Sequence, residues 1–437
     1  MRTAVLDRKA NDGWISILFV AHDLASFRFR RRPGYASPRR FIASSPAHSG
    51  LSVNYAAILA QLRSKSLLRE LRTLEAVDGS VVRSGEESWV NFASNDYLAL
   101  SQHPAVCAAA REAIDQFGVG AGASRLVTGS ISPHQKLEAA LALFKHTEAA
   151  LVFGSGYAAA LGTISSLAGT RDMVILDKLV HACLIDGARL SGARLRIFPH
   201  NDLGRLEDLL RWAQAQHREA QILILTESVF SMDGDLGNLK EIVQLKEKYG
   251  ALLLVDEAHA TGVLGKGGAG LAADLGVAGQ IDIQMGTLSK AFGVTGGFIA
   301  GSRPLIDLLV NRARGFIFST APPPALAAAG SAALEIIQSE QGDRLRAALF
   351  SNVDALSRRL PARFARQTAS AILPLVVGHE QSALELAGRL RASGFLVPAI
   401  RFPTVARGAA RLRVTLSAGH TQDQVRGLAE ALQEALL

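Results

Sequence analysis

The sequence predicts an α/β fold, with a mostly parallel sheet in a large domain and a smaller α+β domain at the C-terminus. Short apolar runs alternate with helical stretches through the middle of the chain, which is typical of parallel strands joined by crossover helices. The length of 437 residues exceeds that of one small domain. Because 49% of the residues are hydrophobic and 20% are charged, the chain can bury a sizeable core and is not disordered as a whole.

Residues 1–50 form a basic tail that we exclude from the fold. They hold nine Lys or Arg against three Asp, so most of the net charge of +8 lies there, and the remaining chain shows no basic stripe for nucleic acid. The apolar run Ile17–Ala21 is too short to span a membrane, and the arginines follow it instead of preceding it as in a signal peptide. We interpret the tail as disordered or as a start assigned too early; a mitochondrial presequence is the alternative.

The next segment, residues 51–95, predicts a helix and a short strand. The helix is amphipathic over Tyr55–Leu74, and the strand lies around Trp89–Phe92. A glycine-rich loop, Gly118–Gly129, and a helix over Pro133–His146 then open the large domain.

The large domain, residues 96–320, contains seven apolar runs that predict buried strands. The runs are short, often β-branched, and bounded by Gly, Asp or Ser, as expected for a sheet covered on both faces. They are Ala150–Phe153, Met173–Leu176, Leu195–Phe198, Ile222–Leu225, Leu252–Val255, Ile281–Met285 and Gly297–Ala300. Most of the notable polar residues follow these runs directly, and the carboxyl ends of parallel strands are where such folds place their sites.

The C-terminal domain, residues 321–437, begins at a proline-rich break, Pro322–Pro324. Ala-rich helices follow, then strands near Ile372–Val377 and Arg411–Leu416, and a last helix from Thr421.

Lys290 is the first candidate catalytic residue. It follows a predicted buried strand within Gly286–Gly293, and buried lysines are rare unless they are used. Burial lowers the pKa of a lysine, and a neutral amine can form a Schiff base with a carbonyl compound such as pyridoxal 5'-phosphate (PLP). The alternative interpretation is a surface lysine at the end of a strand.

Asp256 is the second candidate, since it ends the predicted strand Leu252–Val255. A buried carboxylate costs free energy unless it meets a cation, and the protonated pyridine nitrogen of PLP is such a cation. His259, three residues further on, is placed to bind the ring oxygen. The alternative for Asp256 is an N-cap of the next helix.

A phosphate site is predicted where Gly156 and Tyr157 begin a helix, because main-chain N–H groups at a helix N-terminus bind anions. Thr287 can add a hydroxyl group to the same phosphate. His181 can stack on a ring face, although a lone histidine is more often structural. Each of these signals is weak, but their order along the chain, each after a predicted strand, is specific.

The sequence resembles the fold-type I PLP enzymes of the α-oxoamine synthase family over about residues 52–437. The matching runs are Ser94–Leu98, Gly120–Arg125, Phe230–Asp235, the segments around Asp256 and Lys290, and Phe318–Thr320. Two positions depart from the family pattern: Ala160 stands where relatives often have Asn, and Ala99 where they often have Gly.

The resemblance implies a role for each site residue. Lys290 would hold PLP and move the substrate α-proton, Asp256 would pair with the pyridine nitrogen, and His181 would stack on the ring, in contact with both cofactor and substrate. The other implied cofactor contacts are Ser231 and His259 at the ring oxygen, Gly156, Tyr157 and Thr287 at the phosphate, and Ser319 or Thr320 from a second subunit. The implied substrate contacts are Arg413 and Asn95 for the amino-acid carboxylate, and Arg69, Arg401 and Thr404 for the acyl substrate.

The C-terminal motif Ala399–Val405 is most similar to members that condense L-alanine with a pimeloyl thioester, carried by CoA or acyl-carrier protein, in biotin biosynthesis. The alternatives are a glycine C-acetyltransferase, a 5-aminolevulinate synthase or a serine palmitoyltransferase, and more remotely a non-catalytic subunit of the same fold. The resemblance implies a homodimer with active sites at the subunit interface. We expect no nucleic-acid or membrane partner. Cys107 and Cys183 are too few for a disulfide framework or a four-cysteine metal site, so we also expect no metal and a cytoplasmic protein.

Overall fold

A computed structural model describes residues 54–361, 364 and 369–436. The basic tail of residues 1–50 lies outside the described residues, so its interpretation stays a prediction. From Ala56 onward the chain groups into one compact unit, and the division at residue 320 also stays a prediction. Among the described residues, every helix is too short or too polar to cross a membrane.

The helices alternate with strands as the sequence predicts. They are α1 Tyr55–Ser64, α2 Pro104–Phe117, α3 Ser132–Phe144, α4 Gly156–Leu167, α5 Ala182–Ser191, α6 Leu203–Gln216, α7 Leu239–Tyr249, α8 Leu271–Asp274, α9 Arg303–Arg312, α10 Arg314–Ile317, α11 Pro324–Gln338, α12 Glu340–Ser357, α13 Glu380–Ala392 and α14 Gln422–Leu436.

The strands form three sheets. They are β1 Glu75–Asp78, β2 Val81–Ser84, β3 Glu87–Asn91, β4 Ala149–Phe153, β5 Met173–Asp177, β6 Arg194–Phe198, β7 Ile222–Glu227, β8 Leu252–Asp256, β9 Ile283–Thr287, β10 Gly297–Gly301, β11 Ile372–Gly378, β12 Phe395–Leu396, β13 Ala399–Ile400 and β14 Ala410–Thr415. All seven strands predicted for the large domain are confirmed, with the sixth beginning at Ile283 and not at Ile281.

The central sheet has the order β4-β10-β9-β8-β7-β5-β6. Its strands are parallel except β10, which runs antiparallel to both β4 and β9. The mostly parallel sheet is therefore confirmed. The carboxyl ends of β4, β5, β7, β8 and β9 all meet at one edge, where parallel α/β folds place their sites.

Helices cover both faces of this sheet. On β5, Val174 and Leu176 belong to a buried cluster with residues of α4 and α5, whereas Met173 and Ile175 belong to one with residues of α6 and α7. Because successive side chains of a strand point to opposite faces, a sheet buried on both sides needs a continuous apolar run. This explains why the sequence shows runs and not alternation.

Two smaller sheets lie outside the central one. The sheet β11-β14-β13 is antiparallel and carries Arg413 on its middle strand. The sheet β1-β2-β3-β12 joins the segment of residues 51–95 to the C-terminal part of the chain, since β3 pairs with β12.

The predicted helix over Tyr55–Leu74 is wrong beyond Ser64, where α1 ends. Ser66 adopts a φ of 55°, which breaks the helical path. The guanidinium group of Arg401 then donates hydrogen bonds to the carbonyl oxygens of Ser66 and Leu68. In a continuing helix those carbonyls would accept from later N–H groups of the same helix. A long-range contact thus replaces the local one.

Candidate active site

Lys290 lies in the turn after β9 and is half-buried. Its Nζ is 2.8 Å from Nε2 of His259. Burial lowers the pKa of Lys290 to about 8; the carboxylate of Asp256 opposes this shift most and Arg413 adds to it. The amine can therefore lose its proton near neutral pH, which a nucleophile or base requires.

Asp256 ends β8 and is 4% exposed. Its Oδ1 accepts a hydrogen bond of 2.9 Å from the main-chain N–H of Ala258. Burial raises the pKa of Asp256, and the nearby Lys290 opposes that rise more than any other group. The carboxyl group is thus a buried partner for a positive charge at this edge of the sheet.

A chain of hydrogen bonds links Lys290 through His259 to Tyr97 and Asn95. His259 Nδ1 is 2.6 Å from the hydroxyl oxygen of Tyr97, which also donates to Asn95 Oδ1 at 3.3 Å. Burial lowers the pKa of His259 well below its ordinary value, and the charges of Lys290 and Arg413 add to this effect. His259 is therefore neutral, so one ring nitrogen can accept a hydrogen bond while the other donates.

Arg413 brings β14 into the same site. Its Nε donates to the carbonyl oxygen of Ser231 at 2.6 Å, and its Nη1 donates to Asn95 Oδ1 at 3.0 Å and Thr415 Oγ1 at 2.8 Å. Its Nη2 is buried and has no hydrogen-bond partner among the described residues. A buried donor without a partner is costly, so this nitrogen fits an anion such as a carboxylate.

The ends of β4 and β9 form a narrow cradle. A Cβ atom on Gly297 would lie 2.5 Å from the Cα of Gly156, and one on Gly156 would lie 3.6 Å from Thr287. The hydroxyl of Thr287 is 2.7 Å from that of Ser289. Gly156 begins α4, and the first turn of a helix presents main-chain N–H groups that bind anions. The cradle therefore combines hydroxyl and N–H donors of the kind that hold a phosphate.

His181 and Tyr157 stand at the starts of α5 and α4 and are exposed in the chain. The Nδ1 atom of His181 is 3.0 Å from the sulfur atom of Cys183. Tyr157 donates its hydroxyl hydrogen to Asp186. The exposed imidazole face of His181 is available for stacking.

Two members of this cluster were not found by sequence reasoning. Tyr97 lies within the motif Ser94–Leu98, which the family resemblance included without giving the tyrosine a role. Glu227 ends β7 and is 2% exposed, and its carboxyl group accepts the main-chain N–H of His181. The signal that identified Asp256, a carboxylate after a buried apolar run, also applies to Glu227, which follows the run Ile222–Leu225 after one intervening residue, Thr226.

Five of the predicted residues lie in other surroundings. Ser319 and Thr320 are exposed, and Thr320 forms a β-bridge with Ser124 of the glycine-rich loop. Arg69 and Arg401 line a separate cleft of about 1030 Å³ between the segment after α1 and the segment after β12. Thr404 is exposed in the turn that follows Arg401 and donates its N–H to the Arg401 carbonyl oxygen.

The residues at the sheet edge fit PLP. The amine of Lys290 suits the aldehyde, the buried carboxyl of Asp256 suits the pyridine nitrogen, and the Gly156–Thr287 cradle suits the phosphate. The Nη2 of Arg413, which has no partner within the described part of the chain, adds a place for a substrate carboxylate.

The chain is similar in sequence and in fold to known proteins. Residues 87–432 match the family model described as aminotransferase class I and II. An 8-amino-7-oxononanoate synthase of Geobacter sulfurreducens is 48% identical over 86% of this chain and 95% of its own length. One of a Methylobacterium species is 47% identical over 89% of this chain and 97% of its own.

Among solved structures, a serine palmitoyltransferase from S. paucimobilis with a bound PLP-myriocin aldimine gives a TM-score of 0.82 at 31% identity, over 87% of this chain and 96% of that one. The 8-amino-7-oxononanoate synthase of Francisella tularensis gives 0.67 at 28% identity, over 80% and 98%. The higher identity to the curated synthases, over nearly their full length, places the chain within one branch of the family. The chain belongs to the aminotransferase class I and II family and, within it, to the 8-amino-7-oxononanoate synthases.

Proposed function

We propose that this enzyme condenses L-alanine with a pimeloyl thioester, using PLP, to give 8-amino-7-oxononanoate, CO2 and the free carrier thiol. The observation that carries the proposal is the meeting of Lys290, Asp256 and the unpartnered Nη2 of Arg413 at one sheet edge. PLP, when bound, supplies an electron sink for the electron pair released at the substrate α-carbon.

Lys290 would anchor the cofactor and then remove and return the α-proton at its Nζ. Its pKa of about 8 suits both directions of transfer near neutral pH. Neutral His259, held by Tyr97, keeps Nζ directed into the site through the 2.8 Å contact. Asp256 would keep the pyridine nitrogen protonated, and His181 would stack on the ring.

Arg413 would orient L-alanine by its carboxylate. Hydrogen bonds to Ser231, Asn95 and Thr415 fix the orientation of the guanidinium group. The direction of Nη2 is therefore set by these contacts, although the arginine side chain itself is flexible. Because the guanidinium group is already ordered before the substrate binds, little conformational entropy is lost on binding. The same carboxylate later leaves as CO2, so its position relative to the ring decides which bond breaks.

The acyl donor would reach the site from the cleft that Arg69 and Arg401 line. Arg69 donates to the carbonyl oxygen of Phe402, and Arg401 is buried with an Nε that lacks a partner among the described residues. Burial, with a contribution from Arg69, lowers the pKa of Arg401. Two close cations favour an anion between them, which is the chemistry of the pimeloyl carboxylate.

A second copy of the chain would complete the site, with Ser319 or Thr320 reaching the phosphate of its neighbour. The exposure of both hydroxyls beside the glycine-rich loop supports this arrangement. We place the homodimer in the cytoplasm, a reducing compartment that suits the two free cysteines, Cys107 and Cys183.

Substrate profiling tests the function directly. The purified enzyme is offered L-alanine, glycine and L-serine in turn, each with pimeloyl-CoA, pimeloyl-acyl-carrier protein, acetyl-CoA and palmitoyl-CoA, and thiol release is followed. We expect the highest kcat/KM with L-alanine and a pimeloyl donor. Higher kcat/KM with glycine and acetyl-CoA, or with L-serine and palmitoyl-CoA, would refute the assignment.

A further inference from the structure

Glu227 and Asp256 are neighbours in the central sheet. Glu227 ends β7, Asp256 ends β8, and the two residues stand in register in this parallel pair. Neighbouring strands lie about 4.8 Å apart, and residues in register project to the same face. Two buried carboxyl groups therefore lie side by side at the edge that holds Lys290, and the proposed chemistry uses only one of them.

The carboxyl group of Glu227 binds the main chain at two places. The N–H of His181 donates to its Oε1, and the N–H of Ser231 faces the same carboxyl group. His181 precedes α5, and Ser231 lies in the loop after β7. One side chain thus fixes two separate segments, and each of them carries a proposed contact to the cofactor ring.

The two carboxyl groups differ in how strongly each favours its protonated form. Burial raises the pKa of Glu227 well above its ordinary value, and the charge of Asp256 raises it further, while Lys290 and the N–H groups of His181 and Ser231 oppose the rise. At Asp256, Lys290 is the largest effect that opposes burial, and His181 and the N–H of Ala258 also favour the ionised form. The charges of two adjacent buried carboxylates repel each other, and the larger rise in pKa, at Glu227, favours the proton on Glu227 and the charge on Asp256.

We propose that Glu227 is a positioning residue of the PLP site: its uncharged carboxyl group fixes the main chain of His181 and Ser231 and leaves Asp256 as the charged member of the pair. Glu227 acts through these neighbours and takes no part in proton transfer. The inference rests on the proposed function for the identity of the cofactor.

Three variants of the full-length protein separate the two parts of this role. Glu227→Gln keeps an uncharged acceptor, whereas Glu227→Met keeps the volume and removes the acceptor. Thr226→Val is the matched control, since Thr226 is the preceding residue of β7 and its buried Oγ1 has no partner among the described residues. Two quantities are measured: the affinity for PLP, by titration of protein freed of cofactor, and the pH at which the visible absorbance of bound PLP changes.

We expect Thr226→Val and Glu227→Gln to bind PLP within about twofold of the unchanged protein, and Glu227→Met to bind it about tenfold more weakly or worse, since two N–H groups lose their acceptor. The pH of the absorbance change should stay within about 0.3 unit in Glu227→Gln, because no charge is removed. If Glu227→Met does not fold, Glu227→Asp replaces it, since a carboxyl group one methylene shorter withdraws from both N–H groups.

Unchanged PLP affinity in the methionine or aspartate variant would refute the positioning role, as would a glutamine variant as weak as the methionine variant. A shift of about one unit or more in the glutamine variant would show that Glu227 is ionised and refute the uncharged state. Neither measurement needs L-alanine or a pimeloyl thioester. A protein that binds PLP but lacks the proposed activity would therefore contradict the proposed function, and the same two measurements would still test the role of Glu227.

Discussion

Replacing Arg413 with lysine tests the proposed carboxylate site most sharply. The substitution keeps one positive charge in the same buried place but removes the planar fork of donors. In the structure, Nε and Nη1 are occupied by Ser231, Asn95 and Thr415, and Nη2 alone has no partner among the described residues. A lysine ammonium cannot satisfy these acceptors and also present a fixed donor to the substrate.

The magnitude follows from the lost contact. A hydrogen bond to a charged group contributes about 1.5–3 kcal/mol. The loss of one such bond to the L-alanine carboxylate corresponds to a decrease in kcat/KM of roughly 10- to 150-fold. We expect most of it in the KM for L-alanine, and little change in the KM for the acyl donor, which would bind in the cleft of Arg69 and Arg401.

Arg411→Lys is the control for this measurement. Arg411 is on the same strand, is buried to a similar degree, and binds the neighbouring main chain at Met232 and the carboxylate of Asp233. In steady-state kinetics with varied L-alanine, the KM of Arg411→Lys for L-alanine should lie within about threefold of that of the unchanged enzyme, as expected for a residue without a substrate contact. An unchanged KM in Arg413→Lys, or an equal increase in both variants, would refute the carboxylate assignment.

Three further predictions concern the cofactor side of the site. Tyr97→Phe removes the 2.6 Å hydrogen bond to His259, and we expect kcat to fall about three- to tenfold, corresponding to a bond of about 1 kcal/mol, with PLP affinity unchanged in a titration. Because the Lys290 pKa is about 8, the rate at which cofactor-free protein takes up PLP should rise with pH through 8 as the neutral amine forms; a stopped-flow profile that is flat between pH 7 and 9 would contradict this pKa. Gly297→Ala places a methyl group 2.5 Å from Gly156, so PLP affinity should fall at least tenfold, whereas Gly388→Ala, at a position where a Cβ meets nothing within 4 Å, should leave it unchanged.

The residues of the candidate active site were predictable from the sequence where a chemically notable side chain follows a run of residues with strand periodicity. Lys290, Asp256 and Gly156 each follow an apolar run whose strand is confirmed, and parallel strands bring their carboxyl ends together. The sequence does not state which strands are neighbours, so the adjacency of Glu227 and Asp256 appears only when β7 and β8 pair. The partners of Tyr97 and Arg413 likewise depend on contacts across the fold.

The N-terminal helix shows the opposite case. Its apolar spacing continues to Leu74, but local periodicity does not show that Arg401, more than 300 residues away, binds the carbonyl oxygens of Ser66 and Leu68 just after α1. Ala99 is another position that only the backbone explains. It adopts a φ of 55°, a region that favours glycine, which accounts for the glycine expected there from the family pattern.

The antiparallel strand β10 has a consequence for how such an enzyme can change its substrate. Its first residue, Gly297, pairs with the last residues of both β4 and β9, Phe153 and Thr287. Two strand spacings, about 10 Å, therefore separate the end of β4 from the end of β9, and the main-chain hydrogen bonds of β10 to both strands help to maintain that interval. If the acyl donor binds in the cleft of Arg69 and Arg401 as proposed, the side chains that line this cleft can be exchanged to suit acyl chains of other lengths without altering this interval.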